Sequence, residues 1–158
     1  FFSRRKISHI FTSSTLRTIQ TAQFIAEGQR DCKIFPLREF DEINGGVCEG
    51  MTYSDIEESM PEVFHKRQAN KYYYVYPGGE SYETMKPRIR AGIKKAFFIN
   101  RHADHIMIVG HQAVNRMILS HFLYRRDEDV PYIHVPQDRF YHIIATQDKK
   151  LFKLRSYI

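Results

Sequence analysis

Residues 106–116, Ile-Met-Ile-Val-Gly-His-Gln-Ala-Val-Asn-Arg, constrain this 158-residue chain more than any other stretch. Ile106 to Val109 form an apolar run that reads as a buried strand, and Gly110 ends it. Val114, Ile118 and Phe122 then recur at helical spacing. His111 therefore stands where a strand stops and a helix starts. In an open α/β sheet, ligands bind at the carboxyl ends of strands. The unpaired N–H groups of a helix start also favour an anion there. With Arg116 on the same junction, the segment suggests a phosphate-handling site. A histidine that merely caps the helix is the alternative this segment leaves open.

The rest of the chain alternates in the same way. Residues 7–12 and 33–37 read as short strands, and 15–26 as a helix between them. Residues 38–51 show no periodicity and carry Asn44-Gly45-Gly46 and Gly50, which predicts a loop. Thr52-Tyr53-Ser54-Asp55 has the form of a capping box, and Pro61 suits the first turn of a second short helix. Residues 72–76, Tyr-Tyr-Tyr-Val-Tyr, fit a strand that Pro77-Gly78-Gly79 would end. A long helix is expected over 81–100, with Pro87 a kink or a late start. Residues 105–109 are the strand before His111. Residues 139–146 and 151–156 look like two strands joined by the 147–150 turn. Alternating strands and helices predict an α/β fold, three-layer α/β/α with a mostly parallel sheet, and a hairpin-like edge.

Composition narrows the function. One domain with a real core is expected at this length. The net charge of +6 favours anionic partners. The basic residues are scattered, without a zinc-finger spacing or a long basic arm, so nucleic acid is not an expected partner. No apolar run approaches the roughly 20 residues of a membrane span. Two cysteines, Cys32 and Cys48, make no disulfide framework and point to a reducing, cytoplasmic setting. No HExxH or close carboxylate–histidine pattern is present, so no metal site is expected.

Three further segments carry candidate chemistry. Thr12-Ser13-Ser14-Thr15-Leu16-Arg17-Thr18 is a second strand-to-helix junction, and Arg17 in its first helical turn offers a bidentate fork to a phosphoryl group. A surface arginine on a solvated face is the plain alternative. Asp41-Glu42 open a loop after a strand, where a carboxyl able to hold its proton would serve as a general acid. Turns are often acidic, which is the competing explanation. Arg67, Lys71 and Tyr82 surround the tyrosine-rich segment and would suit a sugar phosphate, although tyrosine runs also pack cores.

Together these stretches resemble the histidine phosphatase superfamily, which is phosphoglycerate mutase-like. The closer likeness is to the bisphosphatase domain of the 6-phosphofructo-2-kinase/fructose-2,6-bisphosphatases. It rests on residues 12–22, on Asp41-Glu42-Ile43 through Val47-Cys48-Glu49-Gly50-Met51-Thr52-Tyr53, on Tyr76-Pro77-Gly78-Gly79-Glu80-Ser81-Tyr82 and on His111-Gln112-Ala113-Val114-Asn115-Arg116. After Leu123 the likeness is loose. The resemblance implies two-step phosphoryl transfer through a phosphohistidine. It implies Arg17 as a ligand of the phosphoryl group, Glu42 as acid and then base, and His111 as the second histidine, which stabilises transition-state charge. It implies Tyr53, Arg67, Lys71, Tyr82, Gln112 and Arg116 as contacts to fructose 6-phosphate, and no cofactor. The implied partners are fructose 2,6-bisphosphate, fructose 6-phosphate and an upstream kinase domain that binds ATP, and the resemblance allows a homodimer.

One element of the family pattern is absent from these residues. The nucleophile lies in an Arg-His-Gly motif after the family's first strand, whereas here Arg101-His102 is followed by Ala103. The expectation is therefore a domain over residues 1–158 that is N-terminally incomplete, with its first strand and nucleophile upstream of Phe1. The bare 158 residues are then expected to fold poorly and to be inactive. A catalytically silent sugar-phosphate-binding module, or a related phosphatase or mutase with another substrate, remains the alternative.

Overall fold

The computed structural model describes residues 2, 5–102, 105–123, 125–145 and 150–156. Along the chain come β1 (His9–Thr12), α1 (Leu16–Glu27), β2 (Lys33–Pro36), α2 (Tyr53–Ser59), α3 (Pro61–Ala69) and α4 (Tyr82–Ile99). Then follow β3 (Met107–Val109), α5 (Gln112–Leu123), β4 (Arg139–Ala145) and β5 (Lys150–Ser156). Short 3₁₀ turns lie at Arg38–Phe40, Gly46–Cys48 and Asp127–Tyr132.

The first three strands form a parallel sheet in the order β2-β1-β3. Its residues alternate between two faces, as a strand period of two requires. Phe11, Phe35 and Ile108 face a large core built with Met85, Ile89, Ile93 and Ala96 of α4 and Val114, Met117 and Ile118 of α5. Ile10, Ile34, Met107 and Val109 face the other way, onto Ala22, Ile25 and Ala26 of α1. Helices thus cover both faces, which gives the α/β/α layering. The helical residues in each core recur at three- and four-residue steps, the stripe that an amphipathic helix turns inward.

Several local expectations hold. The Thr52–Asp55 capping box opens α2, and Pro61 occupies the first turn of α3. Ser81 caps α4 and Asn100 ends it. A late start at Pro87 does not occur: α4 begins at Tyr82 and runs through Pro87.

Other expectations need correcting. Residues 72–76 are not a strand. The Tyr74 N–H turns back to the Asn70 carbonyl and the Tyr76 N–H bonds the Glu80 carbonyl, so their backbone donors serve turns. Tyr72 and Tyr76 are buried in two different clusters. The 38–51 loop contains two 3₁₀ turns. Strands β1 and β3 are shorter than the apolar runs that suggested them. The final hairpin is not an edge of the parallel sheet: among the described residues β4 and β5 pair only with each other. Its link to the rest runs through side chains. Phe2 lies 4.8 Å from Phe140 of β4 and also packs against the Met107 and Val109 cluster. The predicted 147–150 turn falls largely outside the described residues.

The two glycine-rich loops interlock. The Val47 N–H donates to the Pro77 carbonyl (3.0 Å) and the Glu80 N–H to the Asn44 carbonyl (2.8 Å). Gly46 has a φ of 55°, and a Cβ there would strike the Pro77 carbonyl oxygen. Substitution therefore meets both backbone strain and a clash. Gly46→Ala is expected to lower stability by about 2–4 kcal/mol, read from the urea unfolding midpoint. A loss below about 0.5 kcal/mol, the size of an ordinary surface change, would show that the loops are not tightly joined.

Candidate active site

The sheet register assembles the site. Thr12, the last residue of β1, is paired with Val109 at the end of β3 and with Pro36 at the end of β2. All three strands run the same way, so the segments that leave them emerge along one edge. Arg17 comes from the β1–α1 junction, His111 from the β3–α5 junction, and Glu42 from the loop after β2. That edge is where an open parallel sheet binds ligands.

His111 is buried, and its ring is held at both nitrogens. Nδ1 lies 2.9 Å from Arg17 Nη2 and 3.3 Å from Arg17 Nε. A guanidinium only donates, so Nδ1 is the unprotonated nitrogen. Nε2 then carries the hydrogen and donates to the buried Ser13 hydroxyl at 2.8 Å. The Ser13 hydroxyl in turn meets Thr18 Oγ1 at 2.7 Å, which donates to the Thr15 carbonyl at 2.9 Å. The imidazole is thus neutral, and the donor chain fixes its tautomer. Burial first, then the Arg17 charge, pushes the His111 pKa down to about 4, against a smaller pull from Asp41.

The loop carrying Glu42 is tied to the same place. Asp41 accepts from the Ser14 N–H (2.7 Å) and from the Ser14 hydroxyl (2.8 and 2.9 Å). Glu42 accepts the Ile43 N–H at 2.9 Å. Burial raises the Glu42 pKa, while the N–H groups of Ile43, Ala113 and Val114 and the Arg17 charge oppose the rise. Ala113 and Val114 lie in the first turn of α5, so the carboxyl sits by the helix start that follows His111. A carboxyl with raised proton affinity, next to a cation and the amides of a helix start, is suited to give and take a proton beside an anion.

Of the remaining predicted residues the structure pairs Tyr82 with Arg116 and Tyr53 with Arg67. Tyr82, buried at the start of α4, accepts from Arg116 Nη1 at 3.3 Å. Arg116 Nε also donates to the Ile133 carbonyl at 2.9 Å. Arg67 Nη2 donates to the Tyr53 hydroxyl at 3.2 Å, and its guanidinium lies over the rings of Tyr53 and Tyr76. Burial raises the Tyr82 pKa; Arg116 and Arg67 oppose this and the Glu42 charge adds to it, so these residues and Glu42 share one electrostatic field. Lys71 lies over Tyr132, 5.0 Å from the ring centre. Gln112 is exposed on the first turn of α5. A cavity of about 370 Å³ lined by Ile43, Cys48, Met51, Tyr53, Ile56 and Tyr76 adjoins the Tyr53–Arg67 pair. Among the described residues no cluster of His, Cys, Asp and Glu could hold a metal ion.

Some participants escaped sequence reasoning. Ser13, Thr15 and Thr18 orient His111, yet a hydroxyl-rich junction reads first as a helix cap. Tyr132 ends a 3₁₀ turn and Ile133 follows it, in a sequence that carries no recognisable motif.

These contacts make the ionisation of His111 measurable. Its ring is expected to titrate near 4, with Nε2 protonated at neutral pH, in nitrogen NMR; Arg17→Ala should raise the value. The folded pKa lies below the ordinary 6.5. The unfolded chain therefore binds a proton first, so stability from this group is intact above about 6.5 and is lost as pH falls toward about 4. A ring titrating at or above 6.5 in the folded protein would contradict the arrangement.

The family model of the histidine phosphatase superfamily (branch 1) matches residues 1–157. A probable 6-phosphofructo-2-kinase of Schizosaccharomyces pombe is 37% identical over 136 residues, covering 85% of this chain and 20% of the relative. The 6-phosphofructo-2-kinase/fructose-2,6-bisphosphatase of Gallus gallus is 37% identical over 127 residues, covering 80% of this chain and 25% of the relative. The chain thus spans a fifth to a quarter of the length of these relatives. Its fold is similar to that of a putative alpha-ribazole-5'-P phosphatase from Escherichia coli, with a TM-score of 0.84 at 17% identity over 97% of this chain and 74% of that one. The chain belongs to branch 1 of the histidine phosphatase superfamily and is related to the 6-phosphofructo-2-kinase/fructose-2,6-bisphosphatases.

Proposed function

We propose that this chain hydrolyses fructose 2,6-bisphosphate to fructose 6-phosphate and phosphate, within a longer protein that also carries an ATP-binding kinase domain. The observation that carries this reading is the meeting of Arg17, Glu42 and His111 at one sheet edge, beside a second group of cations. Arg17, Arg67, Lys71 and Arg116 offer four positive charges, and Glu42 has raised proton affinity. That balance suits a substrate with two phosphates.

In the proposed reaction a histidine nitrogen attacks the 2-phosphorus, and the bond from phosphorus to the sugar oxygen breaks. Glu42 delivers its proton to that oxygen. Glu42 then takes a proton from water, which attacks the phosphohistidine and releases phosphate. Arg17 donates to the phosphoryl oxygens as charge builds on them, and His111, whose Nε2 hydrogen Ser13 holds, lines the same site. Tyr53, Arg67, Lys71, Tyr82, Gln112 and Arg116 hold the 6-phosphate and the sugar. The proposal assigns the nucleophile to an Arg-His-Gly on a strand upstream of Phe1. Among the described residues β3 pairs with a strand, β1, on one edge only. A further parallel strand along its other edge would end beside His111.

Phosphate release by the full-length protein tests this. Glu42→Gln is expected to lower kcat about 100-fold or more. Arg116→Ala is expected to raise KM about 10- to 100-fold, the loss of charge-assisted hydrogen bonds. Activity should fall on the alkaline side as Glu42 loses its proton. Calorimetric binding of fructose 6-phosphate without any hydrolysis would instead favour the silent binding module.

A further inference from the structure

We infer that Arg88, with Glu80 as its counter-charge, is the positioning residue for the Glu42 acid. Arg88 stands on α4 and belongs to neither group of site residues. All five of its N–H donors are engaged. Nε meets Glu80 Oε1 at 2.8 Å and Nη2 meets Glu80 Oε2 at 2.7 Å, a bidentate pair. Nη1 donates to the carbonyls of Glu39 (2.9 Å) and Asp41 (2.7 Å), and Nη2 to that of Glu42 itself (3.3 Å).

Glu80 extends the hold past Glu42. Its Oε2 accepts the Asn44 N–H at 3.0 Å, and its own N–H donates to the Asn44 carbonyl at 2.8 Å. The acid is therefore bracketed on both sides by one ion pair. The pair is largely shielded from water, with side-chain exposures of 24% and 23%. Burial opposes the Glu80 charge, and Arg88 and the Asn44 N–H outweigh it, leaving the carboxyl below its ordinary pKa.

The geometry explains why this must be an arginine. Three carbonyls and a carboxylate converge on one planar fork, and a lysine has three donors on a single point. The brace also joins the acid loop to α4, whose first residue is Tyr82. Contacts to the sugar phosphate and proton delivery to the leaving oxygen thus share one rigid support. A displacement of an acid by about 1 Å can cost on the order of 100-fold in rate.

The inference rests on the role proposed for Glu42, and the leaving group separates the two. A sugar oxygen needs a proton to depart, whereas nitrophenolate does not. Rates of kcat/KM for fructose 2,6-bisphosphate and for p-nitrophenyl phosphate are measured in the full-length protein. Arg88→Lys is expected to cost about 10- to 100-fold on the sugar substrate and less than about threefold on p-nitrophenyl phosphate. Most of the loss should lie in kcat. Glu80→Gln keeps the shape, removes only the charge, and should move the ratio in the same direction. If Glu42→Gln changes the ratio and both brace variants leave it unchanged, the inference falls and the role of Glu42 stands. If Glu42→Gln itself leaves the ratio unchanged, or the unaltered protein releases no phosphate, both fall.

Discussion

The site depends on the parallel pairing of β1 with β2 on one side and β3 on the other. The register sets Thr12 beside Val109 and Pro36, so three segments far apart in sequence leave the sheet at one edge. Arg17 and His111 are 94 residues apart and touch because of that pairing alone. A slip of one residue would turn Phe11 out of the larger core and Ile10 into it. The apolar alternation that fills both faces therefore also aligns the functional side chains.

The electrostatics follow from where these groups are buried. His111 loses proton affinity because it is enclosed and faces Arg17, while Glu42 gains it because its burial outweighs the N–H groups and the Arg17 charge that oppose the rise. The two shifts run in opposite directions on adjacent segments. The neutral imidazole commits its Nε2 hydrogen to Ser13, and the Glu42 carboxyl holds its proton more tightly than usual. An arriving phosphate would compete for the Arg17 fork that His111 now accepts. The cations at this edge are held by the His111 ring, aromatic rings, a tyrosine hydroxyl and a carbonyl.

The strand-to-helix junctions and helix starts were legible from sequence, through local chemistry. Val109-Gly110-His111 marked a junction because an apolar run, a glycine and a helical stripe follow one another. Thr52 to Asp55 and Pro61 specified helix starts through purely local chemistry. The tyrosine segment misled because burial of Tyr72 and Tyr76 mimics a strand, while their neighbouring backbone groups bond turns. The final hairpin misled because pattern reveals strands but not which edge they share. Ser13, Thr18 and Glu80 stood inside recognised stretches and Arg88 did not, but the roles of all four exist only through partners in distant segments. A resemblance could name Arg17 and Glu42; what orients them is visible only in three dimensions.

On the proposed function, Arg17, His111 and Glu42 form one oxyanion site. The most direct test is a crystal structure of the full-length protein with bound orthovanadate. Vanadate is expected at the carboxyl ends of β1 and β3, with its oxygens within hydrogen-bond distance of the Arg17 guanidinium, the His111 ring and the Glu42 carboxyl. Vanadate bound elsewhere, with Arg17 still resting on His111 Nδ1, would contradict it.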